Sequence, residues 1–399
     1  MKLSRSVIAL VCVAVIGAAT PTPATAQPAQ QVLFVGNNWD GTVDVLRPSG
    51  GFERIRRINV IPDRDARMVE IYLNPVRLAY FLAIRQLIGE GHDQFVDDMY
   101  TSPDGRLLVV SRPSFGDVVA ITLATGRVAW RFRVSGFRAD HMALSPDGRH
   151  VAVSASTGNV VHVLDVATGR QVGTFASGDS PHENIYSRDG RRIFHASIGS
   201  VYTGLDRPWL DSTKGQRYFQ IVDAGTLQIL KRIDMRTKLD AAGHTDLSSA
   251  VRPMTLTPDE RLAYMQLSFH HGFIEYDLVA DRVLRVAHLP ILTNAPREDY
   301  LLDSAHHGIA MNPDGTKLCV AGTMSNYATI VSPTTFAHGQ LIRGDKPYWA
   351  TPSTDGRYCF VSWSGIDAIS AISYDTGAEV ARVSVGDHPQ RMRMGILAA

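Results

Sequence analysis

Short apolar runs separated by polar turns recur along most of the chain. After Asp147, apolar residues fill 151–153 and 160–164, and a further strand-like run covers 171–175. β-Branched residues alternate within the runs and Asp and Gly lie between them, which is typical of antiparallel strands joined by tight turns. The same pattern recurs at 118–134, 219–233, 273–287, 328–342 and 368–385. It predicts an all-β protein.

Six related turns divide this pattern into repeats. They are Ser102-Pro103-Asp104-Gly105, Ser145-Pro146-Asp147-Gly148, Ser187-Arg188-Asp189-Gly190, Thr257-Pro258-Asp259-Glu260, Asn312-Pro313-Asp314-Gly315 and Ser353-Thr354-Asp355-Gly356. Their aspartates are 43, 42, 70, 55 and 41 residues apart. Three of these spacings match one four-stranded propeller blade of about 42 residues, and the two longer ones indicate insertions. The turns therefore predict six complete blades.

A seventh blade is divided between the two ends of the repeat region. Residues 31–60 hold three strands with no turn motif before them, and 388–394 read as a first strand without its continuation. Pairing of these segments removes a free sheet edge. We therefore predict one seven-bladed β-propeller domain over residues 27–399, closed by N- and C-terminal strands of one blade.

The first 26 residues have the pattern of a cleavable signal peptide. Lys2 and Arg5 precede an apolar run over 7–19, and Ala24-Thr25-Ala26 provides a small-residue cleavage site. The run is too short to span a bilayer. We expect cleavage after Ala26, a secreted or periplasmic protein, and no stable membrane insertion.

Charge and cysteine content exclude some classes of partner and scaffold. Forty Lys and Arg nearly balance 39 Asp and Glu, so no basic field marks a nucleic-acid-binding protein. Cys319 and Cys359 are too few for a disulfide-dependent scaffold. They lie at different offsets from their preceding turns, which argues against their facing each other.

The sequence motifs of the repeats resemble those of the YVTN/YncE-like β-propellers of exported bacterial proteins. Three segments carry it, with Asp165-Val166-Ala167-Thr168-Gly169: Gly178-Asp179-Ser180-Pro181-His182, Gly344-Asp345-Lys346-Pro347-Tyr348 and Gly386-Asp387-His388-Pro389-Gln390. The resemblance covers nearly the whole mature chain and implies the fold. It implies no single function, because such propellers include scaffolds, binding modules and enzymes. Arg188, Glu260 and Thr354 depart from the turn pattern.

Insertions at about 62–94, 199–215, 237–250 and 290–304 are all expected on one face of the ring. In the first, Asn74-Pro75 opens a helix and Gly89 ends it. Its apolar residues predict that it packs across the ring: Leu78, Phe81, Leu82 and Leu87. The others bring polar and aromatic residues, including Tyr202, Asp206, Arg207, Trp209, His244, Asp246, Arg297 and Asp303. This face is the candidate functional face.

Two residues of each inner strand are expected to surround the mouth of the central channel. Aligned seven and six places before the turn aspartates, and by the Gly-Asp-x-Pro motif in the closing blade, they are Asp97/Asp98, Asp140/His141, His182/Glu183, Arg252/Pro253, His307/Gly308, Tyr348/Trp349 and Gln390/Arg391. Histidines, acids, arginines and aromatic residues predict a polar pocket for a small molecule or a glycan end. His270, His271 and Arg112 are considered as additions to this ring.

The residue types suggest acid/base chemistry in this pocket, of a lyase or hydrolase kind. Candidate catalytic residues are His141, His182, Glu183 and His307, and candidate substrate-binding residues are Asp98, Asp140, Arg252, Tyr348, Trp349 and Arg391. Arginines suit a carboxylate and the aromatic residues offer a stacking wall.

Alternative functions use the same face. One is a non-catalytic binding propeller that holds a peptide, a glycan or an envelope protein; another is a metalloprotein with a central ion held by ring histidines. The histidines also suit plain hydrogen bonds between blades. No cofactor is identified and no residue is assigned to a metal, since P-loop, dinucleotide, nucleophile-elbow and haem-attachment motifs are absent from the sequence. We expect a monomer.

Overall fold

The strands form a ring of seven four-stranded antiparallel sheets. A computed structural model describes residues 29–200, 207–300 and 304–398. Blade one contains β1 (Gln30–Asn37), β2 (Thr42–Leu46), β3 (Arg54–Asn59) and the C-terminal β28 (Pro389–Leu397). Blade two contains β4 (Met99–Thr101), β5 (Leu107–Arg112), β6 (Asp117–Thr122) and β7 (Arg127–Arg133). Blade three contains β8 (Ala139–Leu144), β9 (His150–Ala155), β10 (Val160–Asp165) and β11 (Gln171–Ala176).

The remaining blades follow in chain order. Blade four contains β12 (Pro181–Tyr186), β13 (Arg192–Ser197), β14 (Tyr218–Asp223) and β15 (Ile229–Asp234). Blade five contains β16 (Val251–Leu256), β17 (Leu262–Leu267), β18 (Gly272–Asp277) and β19 (Arg282–His288). Blade six contains β20 (Gly308–Met311), β21 (Leu318–Gly322), β22 (Tyr327–Val331) and β23 (Ile342–Arg343). Blade seven contains β24 (Pro347–Pro352), β25 (Tyr358–Trp363), β26 (Ala368–Ser373) and β27 (Glu379–Ser384).

Closure of the ring by the two chain ends is confirmed. β28 is the inner strand of blade one and pairs antiparallel with β1, with Leu33 opposite Met394. The seven-bladed, all-β prediction is therefore correct. The predicted signal peptide lies outside the described residues, as do Tyr202, Asp206 and Asp303 of the insertions.

Five of the six repeated turns are held by the hydroxyl at their first position, and in the sixth Asn312 Oδ1 accepts the backbone N–H of Lys317 at 2.8 Å instead. Ser102 Oγ donates to Asp104 Oδ1 at 2.6 Å and accepts the backbone N–H of Leu107 at 3.0 Å. Gly105 has a φ of +66°, a left-handed conformation that glycine adopts without steric cost. The turn motif thus closes the hairpin between the first and second strand of a blade.

Two departures from the turn pattern contact each other. Glu260 takes the left-handed glycine position with a φ of +53°. Its carboxylate accepts the backbone N–H of Arg188 and a guanidinium N–H of Arg192 at 2.8 Å. The departures therefore form a contact between blades four and five.

Adjacent blades pack face to face, and one disulfide links two of them. Cys319 of β21 and Cys359 of β25 are bonded, with their Cα atoms 6.4 Å apart. The prediction that they do not face each other was wrong. They lie five and four residues after their turn aspartates, so they point to opposite faces of their own sheets. Opposite faces are the ones that meet when neighbouring blades stack.

The first insertion forms a helical hairpin on the face opposite the repeated turns. It contains α1 (Arg64–Tyr72) and α2 (Pro75–Leu87), and α3 (Met235–Ala241) lies in the later insertion. Asn74 caps α2 as predicted and accepts the N–H groups of Val76 and Arg77. α1 was not predicted. Phe81 is buried and Leu78 packs against the same cluster, as expected, whereas Leu82 and Leu87 are exposed, so the expectation of packing was wrong for these two residues. Among the residues described, no helix is both long and apolar enough to cross a membrane.

Candidate functional site

A β-bulge shapes the inner strand of at least five blades. In blade three, Ala139 pairs with Ala155 and Met142 with Val153, so Asp140 and His141 together face the single residue Ser154. The same two-against-one register occurs at residues 182–183, 252–253, 348–349 and 390–391. A bulge breaks the alternation of side chains and re-aims them. Both residues of a pair therefore reach the channel, at two depths.

The first residues of the seven pairs line one cavity on the insertion face. We call them the upper ring: Asp97, Asp140, His182, Arg252, His307, Tyr348 and Gln390. Each blade contributes one of them. His141 and Arg138 also line this axial cavity, and Ile88, directly after α2, lies at its mouth. The helical hairpin thus limits access to the cavity.

The axial cavity is small. Water-sized molecules can occupy about 30 Å³ of it, which leaves room for only a few of them. Pockets for drug-sized ligands measure several hundred cubic ångströms. The size therefore favours an ion or a small molecule over the glycan end considered from the sequence.

Most second residues of the pairs form a deeper, ion-paired layer. We call this the lower layer: Asp98, Glu183, Trp349, Arg391 and, two residues further along β28, Arg393. Asp98 accepts both N–H groups of Arg393 at 2.8 and 2.9 Å. The Arg391 guanidinium lies 4.2 Å from the centre of the Trp349 ring. The structure thus places Asp98, Glu183, Trp349 and Arg391 beneath the cavity rather than in its lining.

Three histidines from three blades converge on the cavity. His141, His182 and His307 each offer a ring nitrogen within 4.8 Å of the others. Burial lowers the pKa of all three well below its ordinary value, assisted by Arg391 at His141 and His307 and by Arg252 at His182. They are therefore neutral at physiological pH, which is the form of imidazole that ligates metals.

The carboxyl groups of the site respond to burial in the opposite direction. Burial raises the pKa of Asp97 to about 7, although Arg391 opposes the shift. Burial also raises the pKa of Glu183 to about 8. Glu183 Oε2 shares a hydrogen bond of 2.9 Å with His141 Nδ1 from below. Glu183 therefore orients an imidazole rather than facing the cavity.

Three arginines lie at the cavity. Arg138 and Arg252 line it and Arg391 lies just beneath, against the carboxyl groups of Asp97 and Asp140. Arg138 is paired with Asp140, and Arg391 Nη1 approaches Asp97 at 3.4 Å. Arginine is the largest charge effect on each of the three histidines. Arginine charge thus makes a positive contribution to the potential at all three imidazoles.

Three residues considered from the sequence lie elsewhere. His270 and His271 line a separate pocket with Asp246 and Arg297, because the middle loop of blade five points outward. Arg112 is fully buried beneath the helical hairpin, paired with Asp117 and Asp63. None of the three lines the axial cavity.

Sequence reasoning missed two arginines of the site. Arg138 precedes Asp140 by two positions and Arg393 follows Arg391 by two. Side chains two apart on a strand share a face. The two-residue spacing was therefore the signal that could have identified both arginines as site residues. The bulges that give a strand two channel-facing residues have no sequence signature here.

The comparisons with known proteins support the fold. A chain of the hydrazine synthase of Kuenenia stuttgartiensis has a TM-score of 0.56 with this protein at 17% sequence identity. The match covers 76% of this chain and 96% of that chain. The similarity is one of fold. No family model matches the sequence, and no curated protein sequence matches it either.

Proposed function

We propose that the axial cavity binds a small anion, such as a short carboxylate or an inorganic oxyanion. The observation that carries this proposal is that arginine charges lower the pKa of all three histidines beside a cavity with room for a few water molecules. Arg252 supplies charge directly to the lining, and its Nε donates to Ser268 Oγ at 2.8 Å, which holds the side chain in place. Such preorganised charge selects a ligand by sign and size.

We propose further that the protein is an exported, monomeric propeller of the YVTN/YncE-like type. The repeat motifs and the N-terminal signal pattern support this assignment. The Cys319–Cys359 bond adds support, because disulfides persist in oxidising compartments such as the periplasm. The balanced net charge of +1 argues against a nucleic-acid partner. The small molecule is thus the partner that we propose.

Acid/base catalysis on the bound anion is a second candidate. Asp97 faces the cavity with a pKa of about 7, the value at which a group both gives and takes protons near neutral pH. It is a better candidate than His141, His182 and His307, whose lowered pKa makes them weak bases. We expect a bound carboxylate that carries α-protons, such as acetate, to exchange them for deuterium in D₂O, followed by NMR, and Asp97→Asn to stop the exchange. Exchange at the same rate in this variant would exclude Asp97 as the base.

Calorimetric titration tests the binding function. Formate, acetate, nitrite, sulfate and phosphate should include at least one ligand, whereas acetamide, an uncharged match for acetate, should not bind. Arg252→Gln should weaken binding about 10- to 100-fold, because a charged hydrogen bond is lost. Arg252→Lys should retain more of the affinity, since it keeps the charge.

Arg261→Gln is the matched control. Arg261 is exposed beside the Thr257–Glu260 turn on the opposite face, so its removal should leave the affinity unchanged. Equal affinity in wild type and in a folded Arg252→Gln protein would contradict the proposal. Absence of binding to every anion would also contradict it.

A further inference from the structure

The convergence of three histidines at the axial cavity is a built arrangement. His141 belongs to β8, His182 to β12, and His307 directly precedes β20, so three different blades supply them. The centre of the His182 ring lies 3.8 Å from that of His141 and 5.8 Å from that of His307. Each is at least 95% buried, with relative exposures of 2%, 5% and 1%.

Two of these imidazoles have a buried nitrogen with no partner. Nδ1 of His182 and Nδ1 of His307 are inaccessible to solvent and make no hydrogen bond with the described residues. A buried polar atom left without a partner costs about 1–3 kcal/mol. Two such atoms beside one cavity indicate that something other than the protein satisfies this group of side chains.

The third histidine is already oriented as a metal ligand would be. Its Nδ1 is joined to Glu183 Oε2, the carboxylate–histidine contact that fixes ring orientation at metal centres. Tetrahedral ligand nitrogens about 2.1 Å from an ion lie roughly 3.4 Å apart. The observed separations, all within 4.8 Å, require side-chain shifts of about 1 Å to reach that geometry.

We propose that His141, His182 and His307 together bind one divalent metal ion of the Zn²⁺, Ni²⁺ or Cu²⁺ class. Imidazole nitrogen suits these ions, whereas Mg²⁺ and Ca²⁺ prefer oxygen ligands. Three protein ligands leave one position open. The anion of the proposed function occupies that position, and in this respect the inference rests on the proposed function.

Arg391 and the ion are alternatives at His141. Arg391 Nη2 lies 2.6 Å from His141 Nδ1 and also contacts Nε2. Binding of an ion at His141 requires this guanidinium to withdraw toward Asp97 and Asp98, with which it is already paired. The two carboxylates thus provide a place for the displaced charge.

A rival set of ligands shares His141 with two carboxylates. Asp97, Asp140 and His141 also bring ligand atoms within 4.8 Å of one another. Their carboxylates, however, are engaged by Arg391 and Arg138, respectively. We therefore assign the ion to the three histidines. His182→Gln and His307→Gln separate the two sets, because neither residue belongs to the rival set.

The test is a titration of the full-length mature protein with Co²⁺, a spectroscopic substitute for these ions. The protein is prepared without a polyhistidine tag and treated with chelator, and metal content is measured after removal of free ion. We expect one equivalent of Co²⁺ with a ligand-field spectrum of nitrogen ligation. His182→Gln and His307→Gln should each weaken binding on the order of 100-fold, while the control His150→Gln retains it.

Several results would overturn the inference. Retention of less than about 0.1 equivalent of Co²⁺ by the wild-type protein would overturn it. This result needs no variant, so it remains available even if the histidine variants fail to fold. Unchanged affinity in folded His182→Gln and His307→Gln proteins would overturn it too. That second result would assign the ion to the rival set, which contains neither of these histidines.

The outcome is distinguishable from failure of the proposed function. Anion binding by chelator-treated protein that retains no Co²⁺ would leave the proposed function intact and refute the metal site. Addition of the anion to the Co²⁺ protein should shift its visible spectrum. An unchanged spectrum, with anion binding retained, would refute the anion as the remaining ligand.

Discussion

The upper ring and the lower layer come from the same bulged strands, yet their side chains have different kinds of partner. In the lower layer, Asp98 receives two N–H groups from Arg393 and the aromatic ring of Trp349 covers the arginines. In the upper ring, Nδ1 of His182 and Nδ1 of His307 have no hydrogen-bond partner among the described residues. The lower layer also has such atoms, Trp349 Nε1 and Arg391 Nε, but there the two side chains stack on each other and Arg391 is paired with Asp98. The difference separates a layer that stabilises the ring of blades from a layer left open for a ligand.

Removal of Asp98 should give the largest effect. Asp98→Ala leaves Arg393 without its carboxylate and removes one of the two carboxylates paired with Arg391, which costs about 3–5 kcal/mol of unfolding free energy. Urea denaturation measures it. Asp375→Ala, at an exposed turn position, is the control and should change stability by less than about 0.5 kcal/mol. A cost below about 1 kcal/mol for Asp98→Ala would remove the distinction between the layers.

Loss of the disulfide should give the second largest loss of unfolding free energy, and this loss should not depend on the upper ring or the lower layer. The double variant Cys319→Ser/Cys359→Ser should lose about 2–4 kcal/mol, since the bond restrains the unfolded chain. Thermal unfolding measures the loss, and reduction of the wild type should reproduce it. The shift in Tm produced by a bound anion should be equal in both proteins, because the bond lies between blades and outside the cavity. A smaller ligand shift in the variant would show coupling to the cavity.

His195 is a buried histidine with both ring nitrogens hydrogen-bonded, and it should make the unfolding free energy of the protein fall at acid pH. His195 bonds Ser177 Oγ at 2.8 Å and Asn184 Oδ1 at 2.9 Å, and burial lowers its pKa to about 3. The unfolded chain takes up this proton first, near pH 6.5, so the contribution is complete above pH 6.5 and is lost as pH falls toward 3. The wild type should lose ~3 kcal/mol from this group between pH 6.5 and 4.

Comparison of pH profiles isolates that contribution. His195→Gln should be less stable at pH 7.5, and its unfolding free energy should decline less steeply on acidification. His150→Gln provides the matched profile of a partly exposed histidine. Parallel profiles for wild type and His195→Gln would mean that His195 does not stay neutral in the folded protein.

The smallest stability effect is expected in the upper ring. His307→Gln in metal-free protein should change the unfolding free energy by less than about 1 kcal/mol, because the residue it replaces has an unsatisfied nitrogen. Chemical denaturation beside Asp98→Ala gives the comparison directly. A loss as large as that of Asp98→Ala would identify the upper ring as structural and would contradict its assignment as a binding site.

The sequence predicted the ring of blades better than the chemistry at its centre. Turns such as Ser102–Gly105 define local hydrogen bonds that repeat with the blade. Alignment on their aspartates found six of the upper-ring positions, and the Gly-Asp-x-Pro motif found the seventh, Gln390. It did not separate Asp97 from Asp98 by depth, since bulges depend on pairing with a second strand. The Cys319–Cys359 bond was missed because the two cysteines lie at offsets from their turn aspartates that differ by one residue. This difference places them on opposite faces of their own sheets, and those are the faces that meet between neighbouring blades.

Calorimetric titration of the wild type and Arg252→Gln with small anions tests the central claim most directly. The account predicts that at least one anion binds with a stoichiometry of one, that an uncharged molecule of equal size does not bind, and that Arg252→Gln weakens binding about 10- to 100-fold. No heat of binding from any small anion, with the protein folded, would contradict the assignment of the axial cavity as a ligand site.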